Sequence, residues 1–211
     1  MRLLVLMGVT LAVVAAVVAA IVVRSGDSDS SGGPGLVQNA DHSYRGSDVP
    51  AGTFLPRFSL RNYTGELVRS ESLRRKVVLV TFLESKCEEA CPVIAAQIAQ
   101  GLALLTAAER RRVAAVAVST HPGDDTPRNV RAFVRRHRLV GRLDYLIGSE
   151  RELRPVWRKF RILSALESGD ADTHSAPVRV FEPGGEWVTT LHPGVDLTPQ
   201  NLAHDLREAL S

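Results

Sequence analysis

The sequence predicts a mixed α/β domain whose largely parallel central sheet is flanked by helices. Three observations predict it. Apolar, β-branched or Ala-rich runs at 77–82, 112–119 and 143–148 alternate with segments of helical composition, the pattern of parallel strands joined by crossover helices. Two short strand pairs, each spanning turn residues, bracket that alternating stretch. The only two cysteines, Cys87 and Cys91, stand between the first central run and the first long helix.

At the N-terminus, residues 3–23 carry no charge. Such a run is long enough to cross a ~30 Å hydrocarbon core as a helix. It exceeds a typical signal-peptide core and lacks a strong A-x-A exit, so the reading is an uncleaved anchor over 1–25. Cleavage at Val18-Ala19-Ala20 is the lesser alternative. No cysteine lies near it to carry a lipoprotein anchor. Arg2 and Arg24 flank the span and encode orientation weakly, and the expectation is a single-pass protein with its bulk on the extracytoplasmic side. Residues 26–52, beginning Gly-Asp-Ser-Asp-Ser-Ser-Gly-Gly-Pro-Gly, show neither period and read as a flexible linker, with His42 a stray residue in it.

The folded domain is expected over 53–211. Alternation at 54–60 suits a strand, 62–66 a hairpin turn and 67–68 its return. Residues 70–76 lead into the buried strand at 77–82, and a helix rich in Ala, Leu, Ile and Gln covers 93–105. That helix starts either near Glu88, which puts both sulfurs on one face, or at Pro92, which leaves Cys91 near the cap and Cys87 in the loop. After the strand at 112–119, Asp125 or Thr126 caps a helix with Pro127 in its first turn, running to about 138. A third parallel-type strand at 143–148 and a helix at 150–160 follow. Residues 164–177 are polar and loop-like. A hairpin pairs 178–181 with 187–191, and a last helix covers 199–210. This order is that of a thioredoxin-like fold with an N-terminal hairpin and an inserted helix.

Composition narrows the partners. Net charge is +3, and Arg2 and Arg24 supply two of those charges, so the domain is nearly neutral. The basic runs Arg110-Arg111-Arg112 and Arg135-Arg136-His137-Arg138 lie on or beside helices without interleaved aromatics. They read as solvated faces, and no nucleic-acid partner is expected.

Two cysteines at C-x-x-x-C spacing admit three chemistries. A structural disulfide closes too short a loop to gain much. A catalytic dithiol normally has C-x-x-C spacing, so the fit is loose. A soft metal site needs a further ligand, and two thiolates suit Cu(I) or, with a nitrogen donor, Cu(II) or Zn(II). Of the remaining histidines, His137 and His204 sit on charged helices and His192 beside a turn. His174, in Asp172-Thr173-His174-Ser175, precedes a strand in a loop that packs beside the thiols in a thioredoxin-like fold. Glu88 and Glu89 place negative charge by the thiols, which opposes a lowered thiol pKa and favours a bound cation.

The run 77–82, Cys87-x-x-x-Cys91-Pro92, Asp125-Thr126-Pro127 and Thr173-His174-Ser175, in this order and spacing, resemble the Sco (SenC) family over roughly residues 54–210. The resemblance implies a membrane-anchored, thioredoxin-like copper chaperone that helps assemble the dinuclear copper centre of cytochrome c oxidase. It implies Cys87 and Cys91 as thiolate ligands, His174 as imidazole ligand, copper as Cu(I) or Cu(II), and the copper-receiving oxidase subunit as partner. Other copper or thiol-redox proteins are further partners, and thiol–disulfide oxidoreduction through Cys87 and Cys91 is the alternative activity. One departure stands out: family members commonly have Asp-Pro where this chain has His121-Pro122, and His121 reads as an extra nitrogen donor or, more simply, a satisfied surface residue. Peroxiredoxins share the fold, but the Thr they carry three residues before their nucleophile is Glu84 here, which argues against peroxidase chemistry.

Overall fold

The computed structural model describes residues 44–162 and 176–211. The anchor expected over 1–25, most of the linker including His42, and His174 lie outside the described residues. Among the described residues no helix is long and apolar enough to cross a membrane.

The N-terminal hairpin is β1 (Ser59–Asn62) and β2 (Leu67–Arg69), with Leu60 opposite Val68. One helical turn, α1 (Ser70–Leu73), leads to β3 (Val77–Leu83). Then come α2 (Ala90–Leu104), α3 (Ala107–Arg111), β4 (Val113–Ser119), α4 (Pro127–Arg136), β5 (Asp144–Ile147) and α5 (Glu150–Phe160). The hairpin β6 (Val178–Phe181) and β7 (Trp187–Leu191) and the helix α6 (Pro199–Glu208) close the chain. The seven strands form one sheet in the order β2-β1-β5-β4-β3-β6-β7. β3, β4 and β5 run parallel, while β6 lies antiparallel on β3 and β1 antiparallel on β5. The expected mixed α/β fold, with its N-terminal hairpin and flanking helices, is the one observed.

The position of β3 explains its composition. It is buried along its whole length, and alternate side chains serve opposite cores. Val77, Leu79 and Leu83 join Ile94, Ile98, Val130, Phe133, Leu202 and Leu206 on the face covered by α2, α4 and α6. Val78, Val80 and Phe82 join Leu153, Val156, Trp157 and Phe160 on the face covered by α5. A strand covered on both faces has no polar face to alternate with, hence the unbroken apolar run. The helices α2 and α6 approach closely at Gly101, where a Cβ would stand 2.8 Å from Leu202 Cδ2.

Three boundaries differ from the sequence reading, each for a local reason. The alternation at 54–58 buries Leu55 and Phe58, yet the regular strand starts at Ser59. Leu55 N–H donates instead to Gly185 O at 2.7 Å, and Phe54 bridges Glu186, so this stretch pairs with the β6–β7 turn. α3 carries no buried residue and so no apolar period; the reciprocal hydrogen bonds of Thr106 and Glu109 define its start. Finally, the packed region begins ahead of residue 53. Arg45 and Gly46 donate their N–H groups to the buried Asp205 carboxylate at 2.8 and 3.0 Å, and Ser47 pairs with Thr190.

Candidate functional site

Parallel strands β3 and β4 end side by side, so the loops that follow them meet at the carboxyl edge of the sheet, the usual place for a site in an α/β fold. One loop is 84–89, leading into α2; the other is 120–126, leading into α4. Thr120 N–H donates to Leu83 O at 3.0 Å, and Ser85 N–H donates to Asp125 Oδ1 at 2.7 Å. Tyr145 OH donates to Asp125 Oδ2 at 3.1 Å. Of the two expected caps for α4, Thr126 is the one used, its hydroxyl accepting from Asn129 N–H. Asp125 turns inward, buried, and ties the cysteine loop to the sheet. Burial pushes its carboxyl above the ordinary range, against the donors from Ser85 and Tyr145, which hold it down.

α2 begins at Ala90, between the two expected starts. Cys91 is therefore its second residue and Cys87 lies in the preceding loop. Cys91 N–H points at Cys87 Sγ at 3.3 Å, and Glu84 N–H at Cys91 Sγ at 3.4 Å. Both cysteines are free thiols and buried, Cys87 at 7% exposure and Cys91 at 1%. The two differ in acidity. The Cys87 thiol is lowered to about 6, first by the hydrogen bond it receives from the Cys91 thiol and then by the N–H groups of Cys91, Glu89 and Ala90, with burial opposing. Cys91 is pushed up, by its hydrogen bond to Cys87 and by burial. The opposition expected from Glu88 and Glu89 does not prevent the lowering at Cys87. Both side chains are exposed to water, and hydrogen bonds at contact distance outweigh solvated charges. Cys87 also lines an open groove with Lys86, Pro92, Phe133 and Arg136.

The other histidines divide cleanly. His137 caps α4 and packs against Phe133, ring centroids 4.5 Å apart. His192 lies 3.4 Å from Ser47 Oγ, and His204 Nδ1 lies 3.0 Å from Asp205. His121 stands at the cysteine edge of the sheet, and its imidazole groups with the carboxylates of Glu84 and Asp124, one ligand atom from each lying within 4.8 Å of the others. Thus Cys87 and Cys91 are brought together, His121 is a part-exposed residue satisfied by Asp124 and grouped with Glu84, and His174 is outside the described residues. Sequence reasoning passed over Glu84 and Asp124 as partners. The available signal was an acid directly following seven buried strand residues.

A cysteine pair with one acidic and one proton-retaining thiol at a helix start supports two kinds of chemistry: soft-metal ligation and thiol–disulfide exchange. Comparison with known proteins narrows the field. A family model described as SCO1/SenC matches residues 47–211. The chain is 28% identical over 157 residues to the SCO1 protein homolog of Bacillus subtilis, spanning 72% of this chain and 80% of that protein. The structure superposes with a TM-score of 0.64 on BsSco, 26% identical, covering 76% of this chain and 95% of the other. BsSco is described as a member of the Sco family of cytochrome c oxidase assembly proteins with a disulfide switch. Copper-bound ScoI of Bradyrhizobium japonicum shares the fold at a TM-score of 0.60, with 22% identity, covering 74% of this chain and 99% of the other.

Proposed function

The chain belongs to the SCO1/SenC family, and from that premise we propose that it is a membrane-tethered, extracytoplasmic chaperone that binds copper and delivers it to cytochrome c oxidase during assembly. Residues 1–25 serve as the anchor, 26–52 as the linker, with its residues 45–47 already packed against Thr190 and Asp205, and 53–211 as the copper-handling domain. Copper is the cargo, held by Cys87, Cys91 and His174. The observation that carries this reading is the convergence of the two thiols at the start of α2, with Cys91 N–H 3.3 Å from Cys87 Sγ. The relatives support it: ScoI of Bradyrhizobium japonicum has been seen with copper bound, and BsSco belongs to a family of oxidase assembly proteins.

The donor set suits the task. Cys87 supplies a thiolate near neutral pH, whereas Cys91 keeps its proton until a metal displaces it, so loading releases protons and is pH-dependent. Two sulfurs and one imidazole leave a position through which an incoming ligand can withdraw the ion.

The same asymmetry favours a second reading, a thiol–disulfide oxidoreductase. Cys87 thiolate would attack a partner disulfide and release one partner thiolate. Cys91 would then lose its proton and attack the Cys87 sulfur, freeing the second partner thiol and leaving Cys87–Cys91 oxidised. A thiol reductant would have to restore the pair.

Anaerobic titration of the reduced full chain in detergent micelles with Cu(I) and Cu(II) separates the two. Stoichiometric binding with a thiolate-to-Cu(II) charge-transfer band, lost in the Cys87→Ser/Cys91→Ser variant, is the expected result. Absence of tight copper binding, together with rapid disulfide exchange, overturns the chaperone reading in favour of the oxidoreductase.

A further inference from the structure

Beside the thiols but built from different atoms lies the group of Glu84, His121 and Asp124. Glu84 follows the last residue of β3 and is 5% exposed, and its Oε2 is buried without a hydrogen-bond partner. A carboxylate oxygen left bare in the interior is costly, and an opposing cation is the usual compensation. The ligand atoms that face it are held in place. His121 follows β4 at the same sheet edge, and its Nδ1 lies 3.1 Å from Asp124 N and 3.2 Å from Asp124 Oδ2. Its ring packs on Gly123, where a Cβ would stand 3.3 Å from Cε1. The backbone of Asp124 is fixed in turn by its carbonyl, which accepts from Asn129 Nδ2 at 2.7 Å.

We propose that Glu84, His121 and Asp124 form a second metal site, distinct from the cysteine pair, that takes a divalent transition-metal ion of the Zn(II) type. One imidazole nitrogen and two carboxylate oxygens are ligands of that class. Ca(II) and Mg(II) prefer all-oxygen shells with more ligands than this group offers. Three protein ligands leave a coordination position to water. The site is coupled to the thiols through the backbone, because the residue supplying its buried carboxylate donates its N–H to Cys91 Sγ. Occupancy would therefore fix the loop that positions both cysteines.

The test uses the full chain in detergent micelles carrying Cys87→Ser/Cys91→Ser, so that the dithiol contributes nothing and the outcome is independent of the copper reading. Zn(II) chloride is titrated calorimetrically, and Co(II) is added as a spectroscopic probe. One equivalent is expected, with Co(II) bands free of sulfur charge transfer. Added to that background, Glu84→Gln, His121→Ala and Asp124→Asn should each weaken binding by ~10-fold or more, since even outer-shell changes cost that much. The half-exposed positions His121 and Asp124 keep the test valid should the buried Glu84 variant fold poorly. No Zn(II) binding by the cysteine-free chain, or binding unchanged by His121→Ala and Asp124→Asn, overturns the proposal.

Discussion

Cys91 N–H lies 3.3 Å from Cys87 Sγ, so the second residue of α2 stabilises negative charge on the sulfur of the loop before it. The donation is one-directional. Cys87 becomes the acidic member and Cys91 the one that holds its proton, although the spacing of the pair treats the two alike.

This asymmetry sets a pH profile. With Cys87 lowered to about 6, its thiolate is present above that pH and lost below it. An unperturbed cysteine loses its thiolate below ~8.5. Iodoacetamide should label the reduced chain at Cys87 first, with a rate midpoint near pH 6. Cys91→Ala, which removes the donating thiol, should move the midpoint upward. A wild-type midpoint near the unperturbed value would contradict the assignment.

Asp125 holds the cysteine loop through Ser85 N–H and Tyr145 OH. Asp125→Ala removes the acceptor of both and strands the Tyr145 hydroxyl in a buried place, at a cost of about 1–3 kcal/mol for that unsatisfied group. Because folding raises the Asp125 pKa, the folded state holds this proton more tightly than the unfolded state does. Its contribution to stability is then present at low pH and lost as pH rises through the folded value. Asp125→Asn should remove that component. Urea unfolding of both chains across pH 4–8 reads it as a difference in slope, and parallel curves would count against it.

Gly101 is where α2 and α6 meet, and Leu202 fills the space its side chain would need. Gly101→Ala gains about 1 kcal/mol in helix propensity but overpacks the contact at a cost of about 1–3 kcal/mol. Three Leu202 atoms, Cδ2, Cγ and Cβ, lie within 3.2 Å of the added carbon, so rotation of the leucine alone does not relieve the clash. The melting temperature should fall by a few degrees, and by less when Gly101→Ala is made in a Leu202→Ala background. A rise in melting temperature for the single variant would show the interface to be looser than the geometry indicates.

How much of this was legible in the sequence depends on what each residue answers to. The β3 run and the cap of α4 were readable because local chemistry decides them: two-sided burial, and Thr126 with Pro127. α3 was not, since a five-residue helix with no buried side chain leaves no period to detect. The cysteines were found by their scarcity. Glu84, His121 and Asp124 were not recognised as a group, because 36 residues separate the first two and only the parallel register of β3 and β4 brings them together. Likewise, nothing local marks Asp205 as the anchor for residues 45 and 46, which precede it by 160 and 159 positions.

The last prediction concerns His174, whose place in the copper site rests on its motif. Cu(I) is satisfied by two thiolates, whereas Cu(II) gains more from a nitrogen donor. His174→Ala should therefore weaken Cu(II) binding and shift the charge-transfer band while leaving Cu(I) binding by Cys87 and Cys91 nearly intact. Thiol–disulfide exchange needs only the two sulfurs and the N–H groups around them, so its rate should stay within about twofold of wild type, a change under ~0.5 kcal/mol. The two activities then separate in one variant: loss of Cu(II) affinity with retained exchange assigns His174 to the metal alone. Equal Cu(II) affinity in wild type and variant would remove His174 from the ligand set and leave His121 as the described histidine at the cysteine edge of the sheet. Cu(II) titration of His121→Ala would then show whether the two metal sites draw on a common ligand.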